Sequence, residues 1–384
     1  MKHEIYLDNA ATTRIDQRVL DAMFPFLNDY YGNASSLHHF GLSVKDEIQT
    51  ARTQIAQCLK CEADEIIFTS SGTESNNFAL KGIAFANRNK GNHIIVSAIE
   101  HDCVLNTCKW LETQGFFVTY LPVSKLGCID TELLKRCINP KTILVSVMHI
   151  NNEIGSIQDI TEISSICKER NVYFHSDACQ SFGKIPLDIQ NIDLLSINAH
   201  KIYGPKGMGA LVVKKGTKII PLLHGGGQES GLRSSTENIA GIVGFAKATL
   251  LCFTEMETEY ERIVHLQKKI IAGLTDCVEG IYFNGDLANR IPHNINFCIS
   301  GLEGESIRLL FLLDKSGIAV SSGSACSSNG DNPASHVLQA IGLNPFEARG
   351  SIRTSLGRYN HESEINDFLV SLQAVISKLN PIFS

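Results

Sequence analysis

Short apolar runs recur along the first two-thirds of the chain, each closing on polar residues and each followed by a stretch with apolar positions at helical spacing. Runs at 66–68, 94–96, 117–120, 143–147, 172–174, 194–197 and 210–213 read as strands. Their alternation with helical patterns is the βαβ rhythm of an α/β fold with a mostly parallel sheet and helices on its faces. Upstream, Val44, Ile48, Ala51, Ile55 and Leu59 share one helical face, with Ser43 placed to cap it. From 237 to 274 a long helical pattern, with room for one break, links this region to a second one. There a strand at 294–297, a helix at 306–313, a strand at 318–320 and a closing helix at 362–378 read as a smaller α+β domain.

At 384 residues the chain is long enough for two domains and a large core. A formal charge of −6, and no Lys/Arg cluster interleaved with aromatic residues, argue against a nucleic-acid-binding surface, although a tRNA could dock transiently. The first residues turn polar too soon for a signal peptide, and no apolar stretch reads as long enough to span a membrane, so a cytoplasmic location is expected. The twelve cysteines are scattered through a long chain, which favours reduced thiols over a disulfide framework. Cys58 and Cys61 form a lone C-x-x-C without a second pair, better read as core filler than as a metal or redox site.

Two strand ends carry the most chemistry. The run through Phe174 closes on Asp177, Cys179 and Gln180, and the run through Ile197 closes on Asn198, His200 and Lys201. In an open α/β sheet both ends face the crevice at the carboxyl edge, which places an acid and an amine in one pocket. A partly desolvated amine can form a Schiff base, and an aspartate can keep a pyridinium nitrogen protonated. The rival readings are a surface lysine and a helix-capping aspartate.

Other segments supply matching parts. After the strand at 66–68, small residues around Gly72 and the Thr73 hydroxyl open a helix, a place suited to a phosphate, with simple capping as the alternative. His101 follows the strand at 94–96 and could stack on a pyridine ring and exchange protons. Asn152 and Gln180 are amides within the same edge, able to reach a ring hydroxyl. Cys326 sits among Ser, Gly, Asn and Asp, which offer it nothing apolar to pack against, so it reads as an exposed nucleophilic thiol on a loop. Arg353, inside a strand-like run, suits a bidentate clamp on an amino-acid carboxylate, with an internal salt bridge as the rival.

Taken in order, Tyr6-Leu7-Asp8-Asn9-Ala10-Ala11-Thr12-Thr13, Gly32-Asn33-Ala34-Ser35-Ser36-Leu37-His38, Thr73-Glu74-Ser75-Asn76-Asn77, Glu100-His101, Asn151-Asn152-Glu153-Ile154-Gly155, Asp177-Ala178-Cys179-Gln180, Ala199-His200-Lys201, Arg233-Ser234-Ser235-Thr236-Glu237-Asn238 and the Cys326 loop span nearly the whole chain. This series resembles the pyridoxal-phosphate-dependent cysteine desulfurases of the nitrogen-fixation and iron–sulfur-assembly type, within the class V aminotransferase family.

The resemblance implies fold type I: a large cofactor domain at 16–255 with a mostly parallel seven-stranded sheet, and a small α+β domain from 1–15 and 256–384. It implies that Lys201 bonds pyridoxal 5'-phosphate, that Asp177 faces the ring nitrogen, that His101 stacks on the ring, and that Gln180 and Asn152 lie near its hydroxyl. Gly72, Thr73, Asn198 and His200 would hold the phosphate, with Thr236 reaching over from the second subunit of a homodimer. Arg353 and Asn33 would bind L-cysteine, and Cys326 would take its sulfur as a persulfide for an acceptor such as an iron–sulfur scaffold or a tRNA-thiolation protein. Selenocysteine lyase, another class V lyase or aminotransferase, and a non-enzymatic scaffold are the alternatives. Asn198 stands where that family usually has serine, and Ala34 where it usually has proline.

Overall fold

A computed structural model of the chain describes residues 4–322 and 334–379. Its strands are β1 (Ile5–Tyr6), β2 (Ile66–Thr69), β3 (His93–Ser97), β4 (Phe117–Leu121), β5 (Thr142–Ser146), β6 (Tyr173–Asp177), β7 (Leu194–Asn198) and β8 (Gly209–Val213), followed by β9 (Ile281–Phe283), β10 (Asn294–Ile299), β11 (Ile318–Ala319) and β12 (Ile352–Ser355). Seven of them form the central sheet in the order β2-β8-β7-β6-β5-β3-β4. All run parallel except β8, which is antiparallel to both β2 and β7. Most of these strands are buried along their whole length, as expected where helices cover both faces.

The chain leaves β3 toward one edge of the sheet through β4, then returns to β5 on the other side of β3. The strand order therefore reverses beside β3 and β5, and a crevice opens outside their carboxyl ends, where ligands of doubly wound sheets bind. Asp177, the last residue of β6, lies opposite Ser196 of the parallel strand β7, so the segment after β7 emerges at the same edge.

Two apolar layers sandwich the sheet. One includes Val145, Phe174, Leu195 and Ile197 packed with Ile55, Phe182 and Phe245; the other includes Ile67, Ile94, Val96 and Leu144 packed with Phe78 and Leu80. A separate core gathers Ile5 and Leu7 with Ile295, Phe297, Leu309, Ile352 and Phe368 around the sheet β12-β10-β9. The helix Ile239–Cys277 joins the two: Ile242 and Phe245 belong to the first core, Ile263, Leu266, Ile270 and Leu274 to the other.

Three sequence expectations are corrected. The long helix has no break, because its charged second half keeps an apolar stripe at helical spacing. By length and composition it could cross a membrane, contrary to the reading that no stretch approaches that length; half of its most apolar window is packed inside the protein. The helix carrying Val44 and Ile48 begins at His39, not near Ser43: His38 caps it through Nδ1, which accepts from the Gly41 N–H, and the Ser43 hydroxyl donates back to the His39 carbonyl inside the helix.

Candidate active site

Asp177 anchors the site. It is 7% exposed, and burial by itself pushes its carboxyl upward, but the Cys179 N–H, the Asn76 amide and the Lys201 charge outweigh that and hold it below the ordinary value. Cys179 N–H donates to Oδ1 at 2.9 Å and Asn76 Nδ2 to Oδ2 at 2.7 Å. Asn76 projects from the second turn of the helix Gly72–Ala86, whose start is fixed by the Ser71 side chain accepting from the Glu74 N–H. A buried, ionised carboxylate with both oxygens engaged is a fixed negative charge at the carboxyl edge of the sheet.

Lys201 lies in the turn just after β7, close enough to Asp177, His101 and His200 to act on the charge of each. His200 is pinned by its own backbone, whose carbonyl accepts from the Thr13 N–H and hydroxyl, and by a 3.2 Å contact between Nδ1 and the Thr12 hydroxyl. Burial first, then the neighbouring lysines, pull its imidazole down to about 4. His101 caps the helix Asp102–Thr113, Nδ1 accepting from the Cys103 N–H at 3.1 Å. Burial and then Lys201 lower its pKa, so the ring is neutral near pH 7. With Nδ1 an acceptor, the single ring proton resides on Nε2.

Gly72 stands at the start of the helix Gly72–Ala86, the segment expected to hold a phosphate. A Cβ on Gly72 would lie 2.6 Å from Cys179 Sγ and 3.4 Å from Asn198 Nδ2, so only glycine lets the backbone come this close to the ends of β6 and β7. Asn198 is buried and its Oδ1 has no partner among the described residues. Thr73 is exposed at the helix start. A ring with a basic nitrogen, an aldehyde and a phosphate fits this set: Asp177 for the nitrogen, Lys201 for the aldehyde, and the bare backbone and helix dipole at Gly72 for the phosphate.

The remaining candidates are placed as follows. Gln180 Nε2 donates to the Ala10 carbonyl at 2.9 Å, and the Asn152 carbonyl accepts from Asn294 and Arg353. Arg353 is buried and forms the internal ion pair that rivalled the clamp reading: Nη2 meets Asp8 Oδ1 at 2.8 Å, while Nε has no partner among the described residues. Asn33 is exposed and its Oδ1 accepts from the Ser35 N–H. Thr236 is exposed and lines a cavity of about 130 Å³ with Met208, Arg233 and Glu237. Cys326 lies outside the described residues. Cys58 and Cys61 belong to no metal-ligating group among the described residues, and burial raises both thiols, Cys61 to about 12.

Sequence reasoning missed three participants. Asn76 was visible only as part of a motif, with no sign that its amide would hold Asp177. Glu100 is fully buried beside His101, accepts from the Ser97 hydroxyl and the Met148 N–H, and is pushed up to about 8 chiefly by burial. Lys184, a turn beyond Gln180, donates to its Oε1 at 3.3 Å. A helical i, i+4 spacing between Gln180 and Lys184 was the available signal.

The match to the aminotransferase class-V family extends over residues 5–368. The chain belongs to that family, and its cofactor is pyridoxal 5'-phosphate. Over 385 residues, all of this chain and 97% of the relative, it is 51% identical to the cysteine desulfurase IscS of Dictyoglomus turgidum (strain DSM 6724 / Z-1310). It is 48% identical to the cysteine desulfurase IscS of Methanosarcina thermophila, over 98% of this chain and 92% of the relative. Among solved structures, a NifS-like protein superposes with a TM-score of 0.92 at 38% identity, covering 98% of this chain and all of that one. The NifS-like protein from Rickettsia africae ESF-5 does so at 0.88 and 34%, with coverage of 98% and 100%.

Proposed function

We infer that this chain is an L-cysteine desulfurase that releases L-alanine and passes sulfur, as an enzyme persulfide, toward iron–sulfur cluster assembly. The observation that carries the reading is the pairing of a buried, ionised Asp177 with Lys201 at the ends of adjacent parallel strands. It stands in a chain whose full-length relatives named cysteine desulfurase are 46–51% identical.

When bound, pyridoxal 5'-phosphate supplies an electron sink that makes the α-proton and the β-substituent of an amino acid labile. Lys201 is the amine assigned to hold it and, once freed by substrate, the base for the α-proton. Asp177 holds a proton on the ring nitrogen, and Asn76 keeps Asp177 ionised and aimed. Neutral His101 presents Nε2–H to the site and can return a proton there. Gly72, Thr73, Asn198 and His200 are assigned to the phosphate, Gln180 and Asn152 to the ring hydroxyl. Arg353, already paired with Asp8, is assigned to the substrate carboxylate through its remaining donors, with Asn33 beside it.

Cys326 is the proposed sulfur acceptor. The substrate C–S bond breaks and an S–S bond forms; the β-carbon gains one hydrogen and the terminal sulfur keeps one. L-cysteine plus the Cys326 thiol thus gives L-alanine plus the persulfide, with no external oxidant or reductant. An iron–sulfur scaffold or a tRNA-thiolation protein is the proposed recipient.

The two cores joined by one helix support a large domain at 16–255 and a small one from 1–15 and 256–384. Phe24, Leu27, Tyr31, Leu37 and Phe40 are exposed within one segment, Leu37 at 91%. A patch of that kind supports a homodimer, in which Thr236 would serve the second subunit's site. Eleven described cysteines are all free thiols, which supports a reducing, cytoplasmic setting.

The test supplies L-cysteine to the cofactor-loaded protein and measures alanine and persulfide together. Equal alanine and bound sulfur, both lost in Cys326→Ala with the cofactor still bound, support the reading. Turnover of selenocysteine but not cysteine, or undiminished sulfur release by Cys326→Ala, would overturn it.

A further inference from the structure

Lys184 lies in the turn that follows β6, next to a side chain assigned to the cofactor. Its Nζ donates to Gln180 Oε1 at 3.3 Å, while Gln180 Nε2 donates to the Ala10 carbonyl at 2.9 Å. An ammonium can meet only the oxygen of a carboxamide and a carbonyl only its nitrogen. The two bonds together therefore settle which end of Gln180 is which, and they leave one N–H of Nε2 uncommitted on a side chain already assigned to the ring hydroxyl. Without Lys184 only the Ala10 carbonyl would oppose an amide flip.

Lys184 is also a cation without a carboxylate partner among the described residues. The groups that act on its charge are Lys201 after β7, Cys179 after β6 and Cys252 on the long helix; Lys184 in turn acts on His200 and on His293 ahead of β10. Every one is a cation, an imidazole or a thiol. Burial, and then the Lys201 charge, bring the Lys184 amine down to about 7. At that value the amine is only partly charged at neutral pH and becomes fully positive as the pH falls.

We propose that Lys184 is a positioning residue of the cofactor site: it fixes the Gln180 amide so that an N–H faces the ring hydroxyl, and its positive charge disfavours a proton on the nitrogen that joins residue 201 to the cofactor. This rests on the reading that Lys201 carries the cofactor. A neighbouring positive charge lowers the pH at which that nitrogen loses its proton; removing the charge raises it, and a permanent charge lowers it further.

The experiment is a spectrophotometric pH titration of the bound cofactor in wild type, Lys184→Met and Lys184→Arg, with the cofactor dissociation constant measured for each. The midpoint of the colour change is expected to rise in the order Arg, wild type, Met. The Met variant should move upward and the Arg variant downward, each by more than the error of the fitted midpoint. Cofactor binding should weaken severalfold in Lys184→Met and recover in Lys184→Arg. Unmoved midpoints in both variants would overturn the inference. If Lys184→Met fails to fold, the downward shift in Lys184→Arg decides alone. Peptide mapping of the reduced wild-type holoenzyme separates the two failures. Cofactor on Lys201 with unmoved midpoints removes only the role of Lys184, whereas cofactor on another lysine removes the reading beneath it.

Discussion

Replacing Asn76 by alanine is the sharpest test of how the site works, because Asn76 touches neither of the lysines and is assigned no contact with substrate. Its Nδ2 donates to Asp177 Oδ2 at 2.7 Å and lies 3.2 Å from Cys103 Sγ; the residue is 1% exposed. A hydrogen bond to a buried charged group is worth about 1.5–3 kcal/mol, and its loss leaves Oδ2 without the donor that Asn76 supplies. The carboxyl then moves upward by about one to two pKa units, so Asp177 stays ionised at neutral pH but takes up its proton earlier than in the wild type as the solution is acidified. If the whole effect falls on the cofactor-bound state, affinity drops about 10- to 150-fold. Titration of the apoprotein with pyridoxal 5'-phosphate, followed by absorbance, measures this directly. The variant should fall further behind wild type as pH falls: a carboxyl held below its ordinary value contributes above the unfolded pKa and loses that contribution as pH drops through the folded one. Wild-type affinity at every pH would refute the assignment of Asn76 as the residue that keeps Asp177 ionised.

Other consequences follow from particular contacts. Gly72→Ala places a methyl 2.6 Å from Cys179 Sγ; the backbone must shift, and cofactor affinity should fall at least tenfold while the apoprotein melts within a few degrees of wild type. Arg52 and Glu229 form a bidentate pair at 2.6 and 2.7 Å, 12% and 4% exposed, with Glu229 also accepting the Phe68 N–H. Arg52→Met strands a buried carboxylate and should destabilise by about 3–5 kcal/mol in urea denaturation. Glu153, buried and bonded to the Ser335 hydroxyl, is raised by burial from 4.5 to about 7. An acid raised on folding weakens the fold as pH climbs through that window, so Glu153→Gln should gain on wild type by about 3 kcal/mol between pH 4.5 and 8. A flat difference in denaturation free energy across that range would contradict the buried-acid account.

Much of this was legible in the chain because strand ends are local signals. An apolar run that stops at Asp177, and another that stops before Lys201, place both groups at the sheet edge whatever the rest of the fold does. Direction is not local: nothing in the run at 210–213 distinguishes a parallel strand from the reversed β8. The cap at His38 was hidden for a different reason, since Ser43 is a good capping residue by type, yet its hydroxyl is used by a carbonyl one turn earlier. Partners far apart in sequence were invisible as well. Arg353 meets Asp8 from far along the chain, and Asn76 of the helix Gly72–Ala86 meets Asp177 at the end of β6; only the folded chain brings each pair together. The long helical pattern left room for one break, since charges gather in its second half. It stays continuous because Ile263, Leu266, Ile270 and Leu274 keep one apolar face toward the second core.

The bond expected between Lys201 and the cofactor can be trapped chemically. The holoprotein is reduced with borohydride, digested, and mapped by mass spectrometry for the lysine that carries the reduced cofactor. A single modified site is expected at Lys201, and a Lys201→Ala protein should bind the cofactor without fixing it. Label on Lys184 or Lys206, or none on any lysine of a coloured wild-type protein, would contradict it.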